Sequence, residues 1–493
     1  MGLEITRDRF TKDDFLRFAD RLREGLSALR ELLGSPGFGT GPASIGAELE
    51  LDLVDAGGRP LPRNREVLRA AHHPRLAVEA DRFNVEYNSS PFLLAGRPFT
   101  GLAAEIEETL ATLRRSVARY HGRVVTVGIL PTLRPSDLDR RVLTASARYR
   151  ALSAGLRRLR REPFELCITG LDELRITCDD VTYEGAATSL QIHLRVPPDE
   201  FAQTYNAAQL ATGCVLAVAG NSPTFLGRRL WHETRIALFR QAVDERIAAG
   251  ADDWRPARVS FGHGWVRRSA LELFAETVAM HEPLIPQVSD EAPRDALRAG
   301  HVPSLTELRL HQGTVWRWNR AVYDPHEGGH LRIEMRALPS GPTVVDMLAN
   351  AAFLVGLTCA LAPQADRLVT QMTFGQARWN FYAAARAGLD AELLWPTEAV
   401  PSPRLYPAGE LALRLLPEAR QGLRAAGVDA GEADRLLDVI AARVSRRMTG
   451  ARWQLEALER QRGDLNDAAL AGMFNRYAHL SDGGAPVHEW PEA

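Results

Sequence analysis

Between Ser44 and Val54 the chain alternates strictly, with Leu49, Leu51 and Leu53 on one side of an extended strand and Glu48, Glu50 and Asp52 on the other. Three carboxylates on one face repel one another, so that face needs water, cationic partners or bound metal. Three later stretches repeat the design. Phe83 to Asn88 puts Glu86 and Asn88 on one face, just after Glu79 and Asp81. Ser189 to Val196 sets Gln191, His193 and Arg195 against Leu190, Ile192 and Leu194, and His330 to Leu338 sets His330, Arg332, Glu334 and Arg336 against Leu331, Ile333 and Met335. A solvated antiparallel strand accounts for any one of these. Four together, apolar behind and carrying carboxylates, an amide, imidazoles and arginines in front, are better explained by one antiparallel sheet lining a metal and phosphate site.

Helical periodicity surrounds these strands. Arg7 to Leu33 carries Phe15, Phe18, Leu22, Leu26 and Leu29 at spacings of three and four and stops at Gly34. Gly34, Gly37, Gly39 and Gly41 lead into a strand instead of a helix, which makes them a connector and not a phosphate loop. A helix from Thr100 carries Leu102, Ile106, Leu110, Leu113 and Val117 on one stripe, and an apolar strand follows from Val124 to Ile129. Leu143 to Arg161 reads as a basic helix, whose Arg157, Arg158, Arg160 and Arg161 fit a solvated face better than a nucleic-acid contact. Pro198 and Asp199 open a helix that runs to about Ala219 and breaks at Asn221-Ser222-Pro223. Ser269 to Glu272 has the spacing of a capping box for a helix ending near His281. His311 to Arg320, which interleaves Trp316 and Trp318 with Arg317 and Arg320, is read as a pocket wall, and Thr343 to Leu361 as a buried helix.

The H-x-x-x-H spacing of His326 and His330 encloses Gly328 and Gly329, which do not suit a zinc-presenting helix. After Pro363 the composition turns helical and is punctuated by Pro396, Pro401, Pro403 and Pro407, with amphipathic stretches at Gly409 to Ala426 and Ala430 to Met448. The expected organisation is therefore a catalytic domain over residues 1–362 and a helical part over 363–493 packed on it.

Composition removes several alternatives. The 493 residues carry a net charge of -2, which offers no basic field for nucleic acid or anionic membrane, so a small-molecule partner is expected. No eighteen-residue apolar run and no charged-then-apolar leader is read, and the cytoplasm is the expected compartment. Cys167, Cys178, Cys214 and Cys359 form no C-x-x-C pair and are expected as buried free thiols. Of the 60 Lys+Arg residues all but Lys12 are arginine, which excludes lysine-dependent nucleotide loops and Schiff-base chemistry.

Gly46-Ala-Glu48-Leu-Glu50, Glu79 with Glu86, Ser189-Leu-Gln191-Ile-His193, Asn221-Ser-Pro223 and Arg332-Ile-Glu334-Met-Arg336 occur in an order that resembles the glutamate-cysteine ligase and carboxylate-amine ligase superfamily. Trp379 to Leu393 resembles that family's helical tail. The resemblance implies an α+β, glutamine-synthetase-like fold: a curved antiparallel sheet forming an active-site funnel, with helices on its outer face and ATP with Mg2+ inside. By the same resemblance Glu48, Glu50, Glu79, Glu86, Gln191 and Glu334 look like the metal ligands, and Arg336 and Glu334 like the catalytic pair. His193 and Arg332 are expected to hold the cofactor. Gln191 stands where many members carry histidine, and His193 where some carry asparagine. Hard carboxylate and amide oxygens suit magnesium, and arginine's planar fork suits phosphate.

The reaction so implied is amide formation through an acyl phosphate, with glutamate as the carboxylate and cysteine or another amine as the acceptor. Asn88, Arg235, Trp316 and Arg320 are the expected substrate contacts, the arginines because free carboxylates call for paired donors. The competing reading is a catalytically silent relative that binds nucleotide or metabolite.

Overall fold

A sheet of eight short strands holds the polar faces together. In chain order they are β1 (Ser44–Asp55), β2 (Leu76–Val78), β3 (Asn84–Asn88), β4 (Phe92–Leu93), β5 (Gly122–Val125), β6 (Leu190–Val196), β7 (Asn319–Asp324) and β8 (His330–Met335). The computed structural model describes residues 5–160, 162–178, 181–246, 255–397, 400–460 and 465–492. The spatial order is β7-β8-β6-β1-β3-β2, with β4 and β5 on opposite ends of β1, and every pairing is antiparallel. The sheet curls into a half-barrel, as the resemblance implied.

Register aligns the chemistry. Glu48 lies opposite both Gln191 and Asn88, Glu50 opposite Glu86, and Glu334 opposite both His193 and Arg320. Because side chains alternate, the same register sends Leu49, Leu51, Leu53, Ile192, Leu194, Leu331 and Ile333 to the other face, where none is more than 2% exposed. Helices Pro98–Ala118, Phe201–Ala219 and Val344–Leu361 contact these strands.

The Val344–Leu361 helix begins where the Thr343 hydroxyl accepts the Asp346 N–H at 3.2 Å. Val344–Gln371 is long and apolar enough to cross a membrane, but 78% of its most apolar stretch is buried inside the fold. Helices Ala408–Ala425 and Ala430–Ser445 pack on its outer side. Asp346, fully buried, takes the Arg443 guanidinium at 2.7 Å and the Val487 N–H at 2.9 Å. Asn221 does similar work between segments: its amide donates to Ser340 O and to the Tyr477 hydroxyl, both at 2.8 Å, and accepts from Gln454 at 3.0 Å. Residues beyond 363 thus share buried polar contacts with the sheet-bearing part.

Several expected elements shift. The first helix starts at Lys12, not Arg7, because Thr11 and Asp14 close a capping box there. The helix expected at Thr100 begins at Pro98, and the basic helix spans Ala147–Arg160. Arg160 is not part of a solvated face: it is buried and donates to the carbonyls of Pro163, Asp244 and Arg246. Arg161 lies outside the described residues. At Ser269 the hydroxyl does not cap; Glu272 instead receives the N–H groups of Arg267, Arg268 and Ser269. The proline-punctuated stretch is a two-stranded hairpin, Glu392–Thr397 with Val400–Pro407, an isolated ribbon in which missing N–H groups are tolerated. A second hairpin, Phe164–Thr169 with Glu173–Cys178, has alternating burial that the sequence reading passed over. Cys178 and Cys214 are buried, whereas Cys167 on that hairpin is exposed.

Candidate active site

The polar face of the sheet lines a cavity of about 200 Å³. Two groups of potential ligands stand on it: Glu50, Glu79 and Glu86, and separately Glu48, His193 and Glu334, each group with donor atoms within 4.8 Å of one another. β1 contributes one carboxylate to each, and the cross-strand register supplies the rest except Glu79, which precedes β3.

Neighbours orient these groups. Glu50 accepts from the Ser189 N–H at 2.7 Å, the Ser189 hydroxyl at 2.9 Å and Gln191 Nε2 at 2.9 Å. Gln191 Oε1 accepts from Arg336 at 2.5 Å, and Arg336 also stands 3.3 Å from Glu334. Arg320 grips Glu334 with both arms of its fork, at 2.5 and 2.8 Å. Asn88 donates to Glu86 at 2.6 Å, and Glu79 accepts from the Ala80 N–H at 2.9 Å and the Tyr149 hydroxyl at 3.4 Å.

The two groups differ electrostatically. Burial pushes Glu50 up to about 7, with the Glu86 charge adding to it and Arg336 opposing it. Glu79 is raised well above the ordinary carboxylate range by burial, then by Glu86 and Glu50. Glu334 goes the other way: against the effect of burial, Arg320 and Arg336 hold it at about 2. A site of carboxylates pushed toward protonation is one that a divalent cation neutralises. In the other group the His193 ring nitrogens are buried without a hydrogen bond, and Nε2 faces Glu48 at 3.4 Å and Glu334 at 3.8 Å. An imidazole left open between two carboxylates also has the donor arrangement of a metal ligand. The donor set therefore fits Mg2+, predominantly oxygen with one nitrogen.

Not every expected residue falls where it was placed. His193, expected to hold the cofactor, sits among the carboxylates, and Gln191, expected as a ligand, bridges Glu50 and Arg336. Arg235 does not line the main cavity: it is buried behind it, pairing with Glu233 at 3.1 Å and donating to Ala337 O at 3.2 Å. Arg320 lines the cavity with its guanidinium committed to Glu334, and Asn88 is turned to Glu86 away from the lining. Trp316 and Arg332 do line it, Arg332 bonded to Asp324 at 2.8 Å. Of the tryptophan-arginine strip, Arg317 points away to Glu276 at 2.6 Å.

Other lining residues escaped the sequence reading. Arg148 and Tyr149, at the start of the Ala147–Arg160 helix, cover the glutamate group, and Arg309 and Gln312 enter from the Thr306–Gln312 helix. Glu184, on the short Thr182–Gly185 helix, is also raised to about 7 by burial and by the charge of Glu50. No periodicity marks Glu184; the Arg148-Tyr149 pair was hidden inside a helix that reads as uniformly basic.

The family description "Glutamate-cysteine ligase family 2 (GCS2)" matches residues 44–471. A search of curated proteins gives no match. Among solved structures the chain is similar to glutamate–cysteine ligase from Francisella tularensis in complex with AMP, with a TM-score of 0.56 at 12% identity over 92% of this chain and 91% of that one. It also resembles a bifunctional glutathione synthetase from Pasteurella multocida, with a TM-score of 0.44 at 11% identity over 95% and 55% of the two chains. A third likeness is to the complex of the prokaryotic ubiquitin-like protein Pup with its ligase PafA, with a TM-score of 0.40 at 12% identity over 89% and 73%. The family match begins at the first residue of β1 and runs through every strand that carries the two ligand groups, and on that extent the chain belongs to glutamate-cysteine ligase family 2.

Proposed function

We propose that the chain is an ATP- and magnesium-dependent carboxylate-amine ligase that activates the side-chain carboxylate of glutamate as an acyl phosphate and transfers the acyl group to an amine, cysteine or another. The observation that supports this best is the pair of ligand groups on either side of Arg336 and Gln191. An amine does not displace oxide from a carboxylate anion, so activation must precede attack, and a site for phosphoryl transfer needs charge neutralisation more than it needs a nucleophile of its own. Glu50, Glu79 and Glu86 in one group and Glu48, His193 and Glu334 in the other would hold magnesium, whose positive charge would offset the charge that develops during transfer.

The chain's own residues do the rest. Arg336 presents a planar fork beside both ligand groups, suited to the oxygens of the moving phosphoryl. Ser189 and Gln191 fix the Glu50 carboxylate so that it need not reorganise. Trp316 and Tyr149 wall the cavity and limit water. The Francisella enzyme, similar to this chain in fold, is in complex with AMP, which supports a nucleotide as a ligand here.

The test uses hydroxylamine, a small, strongly nucleophilic amine that captures an acyl phosphate as a hydroxamate. Wild-type protein with Mg-ATP and glutamate should form ADP and hydroxamate, and Glu334→Gln should form neither. Hydroxamate from both proteins alike would overturn the site. Tight Mg-ATP binding with no ADP from any acid and amine pair would favour the silent relative.

A further inference from the structure

Most carboxylates that line the main cavity have visible duties. Glu334 is gripped by Arg320, Glu50 by Ser189 and Gln191, Glu79 by Tyr149 and the Ala80 N–H, Glu86 by Asn88, and Glu48 faces His193. Glu184 is the exception. It lines the cavity, belongs to neither ligand group, and its carboxylate makes no hydrogen bond or ion pair among the described residues. It also borders a second chamber of about 20 Å³ behind the sheet face, together with Glu50, Ser189, Arg235, Trp318 and Arg336. In that chamber Arg235 Nε and Trp318 Nε1, both on side chains at most 3% exposed, are donors without a protein acceptor. A space of that size with buried donors suits one water.

We propose that Glu184 is the general base for the amine step. The inference rests on the ligase reading above. The incoming amine arrives as an ammonium, which has no lone pair to attack with. The Glu184 carboxylate takes one N–H proton. The freed lone pair forms the C–N bond to the acyl carbon, the C–O bond to phosphate breaks with its electron pair going to phosphate, and the second N–H proton leaves with the phosphate as HPO4 2-. The proton on Glu184 then passes to a water in the second chamber, which Glu184 also borders. No other cavity carboxylate can do this without first giving up a partner or a ligand position.

Two small amines separate this role from a structural one. Methylamine is an ammonium at neutral pH and needs a base; hydroxylamine is already neutral and does not. With Mg-ATP and glutamate, Glu184→Gln should lower methylamide formation by about 100-fold, the usual contribution of a general base, while hydroxamate formation changes little. Equal loss with both amines, or no loss with either, would overturn the role. Retained hydroxamate also shows that the variant is folded and that activation is intact. Wild-type protein that makes neither product fails at the earlier step, and the ligase reading falls together with the base.

Discussion

Arg320→Met isolates how much the fold depends on the cation that clamps Glu334. The Glu334 side chain is 1% exposed and that of Arg320 16%, so their paired contact is sheltered from solvent. Holding Glu334 at about 2 instead of its ordinary 4.5 corresponds to roughly 3 kcal/mol of stability at neutral pH. Arg336 remains 3.3 Å away in the variant, so the share lost with Arg320 is about 2 kcal/mol. Unfolding 493 residues at about 2.1 cal/mol/K each gives an entropy near 1 kcal/mol/K, and the melting temperature should fall by about 2 °C. The sign with pH follows from the depressed value: the contribution is complete above 4.5 and disappears as pH falls towards 2, so the gap between wild type and variant should narrow over that range. Magnesium adds a second signature, because a Glu334 freed from Arg320 is a better ligand, and Mg-ATP should recover part of the lost stability. Scanning calorimetry with and without Mg-ATP reads both effects. A variant that melts with wild type at neutral pH, or a gap unchanged on acidification, would refute the reasoning.

Three further outcomes are expected. Glu50 sits near 7 in the fold, above its ordinary 4.5, so its ionisation costs stability that is untouched below 4.5 and fully lost above 7; Mg-ATP should therefore raise the melting temperature more at pH 8 than at pH 5, and equal shifts would argue against cation binding at that group. Arg336→Lys keeps the charge but loses the fork, and should lower kcat for ADP formation more than it raises the KM for ATP; a loss confined to KM would place Arg336 in ground-state binding. Tyr477→Phe leaves the Thr126 carbonyl, 2.9 Å from the hydroxyl, without its donor and should cost about 1–2 kcal/mol, read as a lower melting temperature with hydroxamate formation retained.

The half-barrel was legible because its strands are written in period two with no interruption: Leu49, Leu51 and Leu53 leave one register for β1, and that register alone faces Glu50 toward Glu86. What a linear reading could not show was which polar residue meets which. Gln191 and His193 are equivalent in the alternation, yet Gln191 lies across from Glu48 within reach of Arg336, whereas His193 lies across from Glu334. Arg235 and Arg320 are both plausible carboxylate binders by residue type, and only packing shows that internal carboxylates already hold them. Glu184 and Arg148 come from the Thr182–Gly185 and Ala147–Arg160 helices, outside the sheet, and contacts between elements far apart in sequence leave no periodic trace. The Pro396 to Pro407 hairpin was lost because proline density marks breaks in a helix and edges of a ribbon alike.

β1 also acts as a spacer. Glu48 and Glu50 belong to different ligand groups and are two residues apart on one extended strand, which separates their Cα atoms by about 7 Å whatever the loops around them do. The spacing of the two backbone anchors is thus built into the peptide repeat itself. A single residue inserted between positions 48 and 50 would turn one of the two carboxylates to the apolar face and break the centre to which it belongs. Lengthening the turn that follows Asp55 would leave the gauge intact, so length changes among working variants of this chain should gather in such turns and stay out of β1.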